Sequence, residues 1–362
     1  MANIFDYINA KEMAVYIQKV VDNTVPFLGK QLFPNDKQLG TDISWLKGKD
    51  GLPVALQPSN YDAKARLREH TGFESVATEM AFFREGTRIG EKDRQKLNML
   101  MSNPNNNLAL PIIKSIFDDV ARLVEGVEVQ AEIMRMTLLQ KGKIDITSAD
   151  GRAKYNYDYG LPSEQKVKAS VSWKTKATAD PVRDIIKWCD DAELRTGVRP
   201  NKAIINRNTF LDMIQCDTLH FMINPNDASK KAFYSEEDLL RAIESFTKVK
   251  FAIYSKKVGV LDHATGLPSA SQTINLIEDN FLVLLPEGKV GRTVYGTTPE
   301  ESDLMNGGTD AQTHLVNGAI AVTTIKEPHP VNVFTIVSAV MIPSFEGIDH
   351  VVVAKTDASN HN

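Results

Sequence analysis

Residues 111–142 read PIIKSIFDDVARLVEGVEVQAEIMRMTLLQKG, and the rest of the chain is organised around them. Pro111 stands where a helix can begin, because its missing N–H would go unpaired in a first turn anyway. Ile113, Ile116, Phe117, Val120, Leu123, Val124, Val127, Ala131, Met134 and Leu138 then recur at steps of three and four, the spacing of one helical face. Lys141 puts positive charge at the negative end, and Gly142 suits the residue just past it. A helix of roughly thirty residues would be about 45 Å long. Only one stripe is apolar, which predicts a helix lying across a sheet with its other side uncovered. Gly126 in its middle costs about 1 kcal/mol relative to Ala, a cost that close packing there would explain.

Upstream, residues 6–22 predict a second, amphipathic helix. Asp6 can cap it, and Ala10, Met13, Ala14, Ile17, Val20 and Val21 fall at helical spacing. Pro26 and Pro34 end the pattern. A short helix is marginal alone in water, so residues 1–39 read as an arm laid on a neighbouring molecule. Residues 40–90 carry strand signals but no helix. Ile43 to Lys47 could be a strand, Gly48-Lys49-Asp50-Gly51 is a turn signal, and Pro53 and Pro58 exclude a central strand. Val76 to Phe83 is a second strand signal, followed by Arg84-Glu85-Gly86. A loop of this length inside a compact domain is improbable unless it has a job. It reads as a projecting two-stranded loop, with a β-subdomain of an enzyme as the plainer alternative. Its Arg66, Arg68, Arg84 and Arg88 are interleaved with Glu69, Glu74, Glu79, Glu85 and Glu91. That mixture fits a solvated surface or pairing between subunits, where the planar guanidinium suits carboxylates.

Downstream, residues 180–255 alternate helix and strand. Asp180 can cap a helix begun by Pro181 and ended by Gly197, with Val182, Ile185, Ile186, Cys189 and Ala192 inward. Ala203 to Ile205 is a buried strand. Ser235 and Asp238 form a capping box ahead of Leu239, Leu240, Ile243 and Phe246. Phe251–Tyr254, Thr273–Ile277 and Phe281–Leu285 are further strands, and residues 319–325, 331–342 and 350–354 are nearly all strand.

Composition narrows the function. The 362 residues are 42% hydrophobic and 24% charged, which describes an ordinary globular chain and not a disordered one. The net charge of −4 argues against a free nucleic-acid binder, which would present a basic face. No run of about 18 apolar residues predicts a membrane helix. Met1 to Asn23 has no basic start followed by an apolar block, so no signal peptide is expected. Cys189 and Cys216 form no CxxC pair, which fits synthesis in a reducing compartment. Both read as small core residues. Walker A, GxSxG, HExxH and GxGxxG patterns are absent, and the seven histidines are scattered. Gly288 and Gly291 in the stretch Pro286 to Arg292 lack phosphate-loop spacing and read as a tight turn. Asp118-Asp119 and Asp190-Asp191 lie on helices, where adjacent carboxylates point apart. No catalytic residue, cofactor or metal site is expected.

The order of parts resembles the lambda-type major head proteins of tailed bacteriophages. The stretch from Glu132 through Thr137-Leu138-Leu139-Gln140-Lys141-Gly142-Lys143-Ile144 is similar to that family's exit from its long helix, with Gln140 where threonine is usual. Tyr157-Asp158-Tyr159-Gly160-Leu161-Pro162 is similar to its strand ending in GxP. Trp173, Asp180-Pro181, Trp188-Cys189-Asp190 and Gly197-Val198-Arg199-Pro200-Asn201 resemble the start of its axial domain. The segment from Pro286 to Glu300 and the proline-bearing turn Pro343-Ser344-Phe345 complete five motifs in family order, spanning about residues 4–355.

The resemblance implies an α+β chain with the Hong Kong 97-type capsid fold. Its parts would be an N-terminal arm (1–39), an extended E-loop (40–90), a peripheral domain (91–178) with a spine helix at about 111–141, an α/β axial domain (179–318), and C-terminal strands (319–362) returning to the peripheral domain. It implies a major capsid protein that self-assembles as hexamers and pentamers into an icosahedral head, enclosing double-stranded DNA without sequence-specific binding. Trp45, Arg66, Arg68, Phe73 and Arg84 are the E-loop candidates for contact between subunits. The implied partners are further copies of the chain, a scaffolding protein and a portal protein, with a decoration protein left open. The resemblance, with no scaffold-like extension of about a hundred residues visible ahead of the arm, implies a separate scaffold as the expectation. Assembly would take place in the host bacterial cytoplasm and the product would be the virion. An encapsulin-like compartment shell is one alternative, and an α/β enzyme using residues 281–300 is another.

Overall fold

The computed structural model describes residues 15–17, 27–47, 74–101, 109–147, 154–223, 234–262, 267–304, 311–329 and 331–361. In chain order its elements begin with α1 (Leu28–Leu32), β1 (Asn35–Lys37), β2 (Asp42–Lys47), β3 (Glu74–Glu79), β4 (Ala81–Ile89), α2 (Glu91–Met101) and α3 (Ala109–Lys141). The hairpin strands β5 (Lys143–Thr147) and β6 (Lys154–Asp158) follow, then β7 (Lys166–Lys168), α4 (Pro181–Thr196), β8 (Lys202–Ile205), α5 (Arg207–Ile214), α6 (Asp217–Ile223) and α7 (Glu236–Thr247). The chain continues through β9 (Lys250–Ile253), β10 (Lys257–Asp262), β11 (Leu267–Asn275), β12 (Phe281–Leu285), β13 (Arg292–Tyr295) and α8 (Pro299–Asp303). It ends with β14 (Gln312–Val316), β15 (Ile320–Pro328), β16 (Val331–Ser344) and β17 (Val352–Lys355). The chain divides into two compact units, residues 1–44, 77–132 and 292–344 in one and residues 45–76, 133–291 and 345–362 in the other.

The first unit is built around β16. This strand pairs with β15 over Val331–Ser338, with β4 over Val333–Met341 and with β13 over Met341–Ser344. β14 continues the sheet beyond β15, and β1 adds in parallel to β13. Val337, Ala339, Val340, Met341 and Ile342 are all buried, as a strand flanked on both edges requires. Pro343 and Ser344 close this strand and are not the turn that the resemblance implied. The β4 ladder has ended by Met341, so the proline interrupts no bond on that edge.

The N-terminal segment, expected to lie on a neighbour, is bound to its own chain wherever it is described. Residues 15–17 are helical, Ile17 is fully buried, and the Tyr16 hydroxyl donates to Asp118 Oδ1 at 2.5 Å. The Gly29 N–H donates to Glu132 Oε1 at 2.9 Å, and Phe33 is fully buried. The rest of the expected helix over 6–22 lies outside the described residues.

Helix α3 matches its sequence pattern in the first half. Val120, Val124 and Val127 are buried, while Arg122 and Glu125 are exposed. Two expectations fail. Gly126 is exposed and a Cβ there would meet nothing within 4 Å, so close packing does not explain it. From Ala131 onward the helix is covered nearly all round, Glu132, Arg135 and Gln140 included. A one-stripe pattern cannot reveal burial that is satisfied by polar partners. Gly142 then ends the helix at φ +69, and its N–H donates to Leu138 O at 2.8 Å.

The second unit holds a five-stranded sheet in the order β7-β17-β12-β8-β9. Val283 and Leu284 on β12, flanked on both edges, are fully buried. Helix α4 is capped by Asp180, whose carboxylate accepts from the Arg183 N–H, and it ends at Gly197 in the left-handed region, as its sequence predicted. Trp173 and Trp188 stack with ring centres 6.1 Å apart. The buried Asp184 accepts from Trp173 Nε1 at 3.1 Å and from the Ser170 hydroxyl at 2.8 Å. Ser235 caps α7, but Phe246 is half-exposed and does not join the core.

Two segments pair differently from the expected division of the chain. Residues 292–316, expected in the axial domain, supply β13 and β14 to the six-stranded sheet. β17, expected to return to the peripheral domain, lies between β7 and β12. Apolar strands carry no local mark of which sheet they will join.

Candidate assembly surface

Residues 40–43 and 80–81, which flank the segment expected to form an E-loop, are held together as a root within the first unit. Gly40, at φ +92, accepts at its carbonyl from the Thr297 N–H at 2.9 Å. Its own N–H donates to Thr297 Oγ1 at 3.1 Å. A Cβ added to Gly296 would lie 2.5 Å from Gly40 O, 2.7 Å from Met80 Cε and 2.9 Å from Val340 Cγ1. Only glycine lets the strands close at this point. The Met80 N–H donates to Thr41 O at 2.9 Å, and Ile43 and Met80 are buried. β4 then secures the returning chain over nine residue pairs with β16. The described residues that follow the expected loop thus join the sheet around β16.

The segment 286–300 supplies much of this root. It is architectural, with no phosphate loop. Gly288 turns at φ +97, and the chain then enters a strand and no helix. Arg292 pairs with Asp36 at 2.7 Å, and Lys37 Nζ donates to Gly296 O at 2.8 Å and to Glu301 Oε2 at 2.6 Å. Together these contacts bind β1 to β13. Thr298 caps α8, in whose first turn Glu300 is 6% exposed. A buried carboxylate needs partners, and Glu300 has the Ser338 hydroxyl at 2.8 Å and Arg84 Nη2 at 2.5 Å.

The five candidate contact residues therefore separate. Arg84 is on β4 within the sheet and not in a projecting loop, because its strand pairs with β16. Its guanidinium is engaged by Glu300 and lies 4.7 Å from the Phe82 ring centre. Trp45 is on β2, which forms a two-stranded sheet with β3. Arg66, Arg68 and Phe73 lie outside the described residues. The sequence reading missed Leu39, which is 86% exposed beside the root. With Gly40, Thr41, Thr297, Pro299 and Ser302 it lines a shallow depression of about 390 Å³. An exposed leucine is common on protein surfaces, so only its place on a rigid root marks it out.

No group of three or more His, Cys, Asp or Glu side chains could hold a metal among the described residues. Burial pushes the thiols of Cys189 and Cys216 up to about 11, so both are protonated at neutral pH. No described helix is long and apolar enough to cross a membrane.

Comparison with known proteins agrees with this architecture. The family described as phage major capsid protein E matches residues 9–356. No curated protein sequence matches the chain. A prophage capsid protein from Escherichia coli CFT073 superposes with a TM-score of 0.60 at 14% identity, covering 96% of this chain and 99% of that one. A phage-related protein from Bordetella bronchiseptica RB50 superposes with a TM-score of 0.53 at 12% identity, covering 95% and 97%. Identities this low speak for the fold alone, which is the Hong Kong 97-type capsid fold. The enzyme reading of residues 281–300 gives way to a structural role in the virion. A family match over nearly the whole length settles the matter: the chain belongs to the phage major capsid protein E family and is a major capsid protein of a phage or prophage.

Proposed function

We propose that the chain assembles as hexamers and pentamers into an icosahedral head that encloses double-stranded DNA. Assembly takes place in the host cytoplasm with a scaffolding protein and a portal protein. The observation that carries this reading is the E-loop root, where Gly40, Met80 and Gly296 tie both ends of the loop to the sheet around β16. In this reading the segment between these anchored ends carries the contacts to a neighbouring subunit, with Arg66, Arg68, Phe73 and Trp45 as the contact residues. Many such contacts, each modest, give a shell large avidity.

Co-expression with the scaffolding protein, followed by sizing and negative-stain imaging, tests the proposal. Closed particles in the megadalton range are the expected result. A persistent 40.2 kDa monomer under those conditions overturns it.

A further inference from the structure

A cleft of about 330 Å³ in the second unit collects cationic side chains from four separate elements. Lys141 ends α3, Lys143 begins β5, Lys166 begins β7 and Lys355 ends β17. His361 lies at the same cleft, its Nε2 2.7 Å from Val167 O. Two carboxylates oppose them. Glu278 is taken by Lys141 at 2.6 Å, and Asp145 is hydrogen-bonded by the Asn156 amide. Counting four lysines against two carboxylates leaves two positive charges in excess with His361 neutral. Lys355 is also held 3.8 Å from the centre of the Phe281 ring, a contact that fixes its ammonium in place.

We infer that this cleft is a binding site for phosphate groups, carried either by a free oxyanion or by a nucleic-acid backbone. Like charges gathered from four elements repel one another unless an anion sits among them. The volume is at the small end of ligand pockets, and ammonium groups bind phosphate as point charges. His361 reports the same field. Its imidazole is held below its ordinary value first by burial and then by Lys355 and Lys166, against the raising effect of its bond to Val167 O and of Asp357. An anion in the cleft would screen the two lysines and raise it.

The test is calorimetric titration of the full-length subunit with sodium phosphate at low ionic strength, with chloride as the control. Wild type binds saturably, Lys143→Gln/Lys166→Gln binds at least about tenfold more weakly, and Lys143→Arg/Lys166→Arg retains binding. Neither lysine is buried, so both variants keep the wild-type melting curve. The His361 ring resonance titrates at higher pH with phosphate present. Competition by a short DNA duplex assigns the phosphate to a nucleic-acid backbone, and phosphate binding that the duplex leaves untouched assigns it to a free oxyanion. Equal heats from wild type and the glutamine variant, or no heat beyond chloride, overturn the inference.

Discussion

Gln140 shows how one side chain can hold distant parts of a chain together. It is 3% exposed, and its amide nitrogen donates to Met136 O at 2.8 Å and Leu276 O at 2.9 Å. Its carbonyl oxygen accepts from the Glu278 N–H at 2.8 Å. A threonine, which the resemblance led one to expect here, could serve its own helix but is too short to span both groups. Gln140→Leu keeps the volume and leaves Leu276 O and Glu278 N unpaired. It is expected to lower the urea unfolding free energy by about 1–3 kcal/mol, and an unchanged midpoint would show that water replaces the amide. The cysteines give a second prediction at this scale. Cys189 and Cys216 are fully buried, and with thiols pushed up to about 11 neither carries appreciable thiolate at pH 8. A thiol-specific chromogenic reagent at that pH should find no reactive thiol in the folded subunit and both in urea. Rapid labelling of the native protein would place at least one thiol at the surface.

Among the elements, α3 was the most legible in sequence, and its misread half is instructive. Val120, Val124 and Val127 announced their face because the opposite side is charged and solvated. Beyond Ala131 the same rule failed, since Glu132, Arg135 and Gln140 are polar and buried. Sequence alone cannot separate a solvated glutamate from one that accepts a bond from Gly29. Two substitutions test the halves of this account. Val124→Asp places a carboxylate at a fully buried position, at a cost of several kcal/mol against a typical domain stability of about 5–15 kcal/mol. The variant should be insoluble or molten by circular dichroism, and a cooperative melt would mean the stripe is uncovered. Gly126→Ala should act in the opposite direction. The site is exposed and open, so the substitution gains about 1 kcal/mol of helix propensity without a clash. A fall in the melting midpoint would reveal a contact made at Gly126. β4 was misread for a related reason: Arg84, Glu85 and Gly86 look like loop residues, yet they pair with Ser338, Val337 and Ile336. Strand pairing is a property of the partner as much as of the strand.

At the scale of the whole molecule, the α+β class, the spine and the α/β unit were readable because helices and turns carry local signals. The root that flanks the expected E-loop was not, since Gly40, Met80 and Gly296 are far apart in sequence and meet only in the folded sheet. That root sets up the decisive test of the loop itself. Residues 47–67 contain Pro53, Pro58 and the Gly48-to-Gly51 turn, with few large apolar side chains to strengthen a subunit's own core. The clamps at Gly40, Met80 and Thr297 lie outside this stretch and survive its removal. Replacing Lys47–Leu67 with a short Gly-Ser linker should therefore leave the far-ultraviolet spectrum and melting of the free subunit nearly unchanged. Closure of the shortened loop is no obstacle, because each doubling of loop length changes its cost by only about 0.6 kcal/mol. If the loop acts only across a subunit boundary, as proposed, shell formation should nevertheless fail, leaving monomers or isolated capsomers in sizing and electron microscopy. Two outcomes would refute this: an unfolded variant, which would make the loop part of the core, or normal shells, which would make it dispensable.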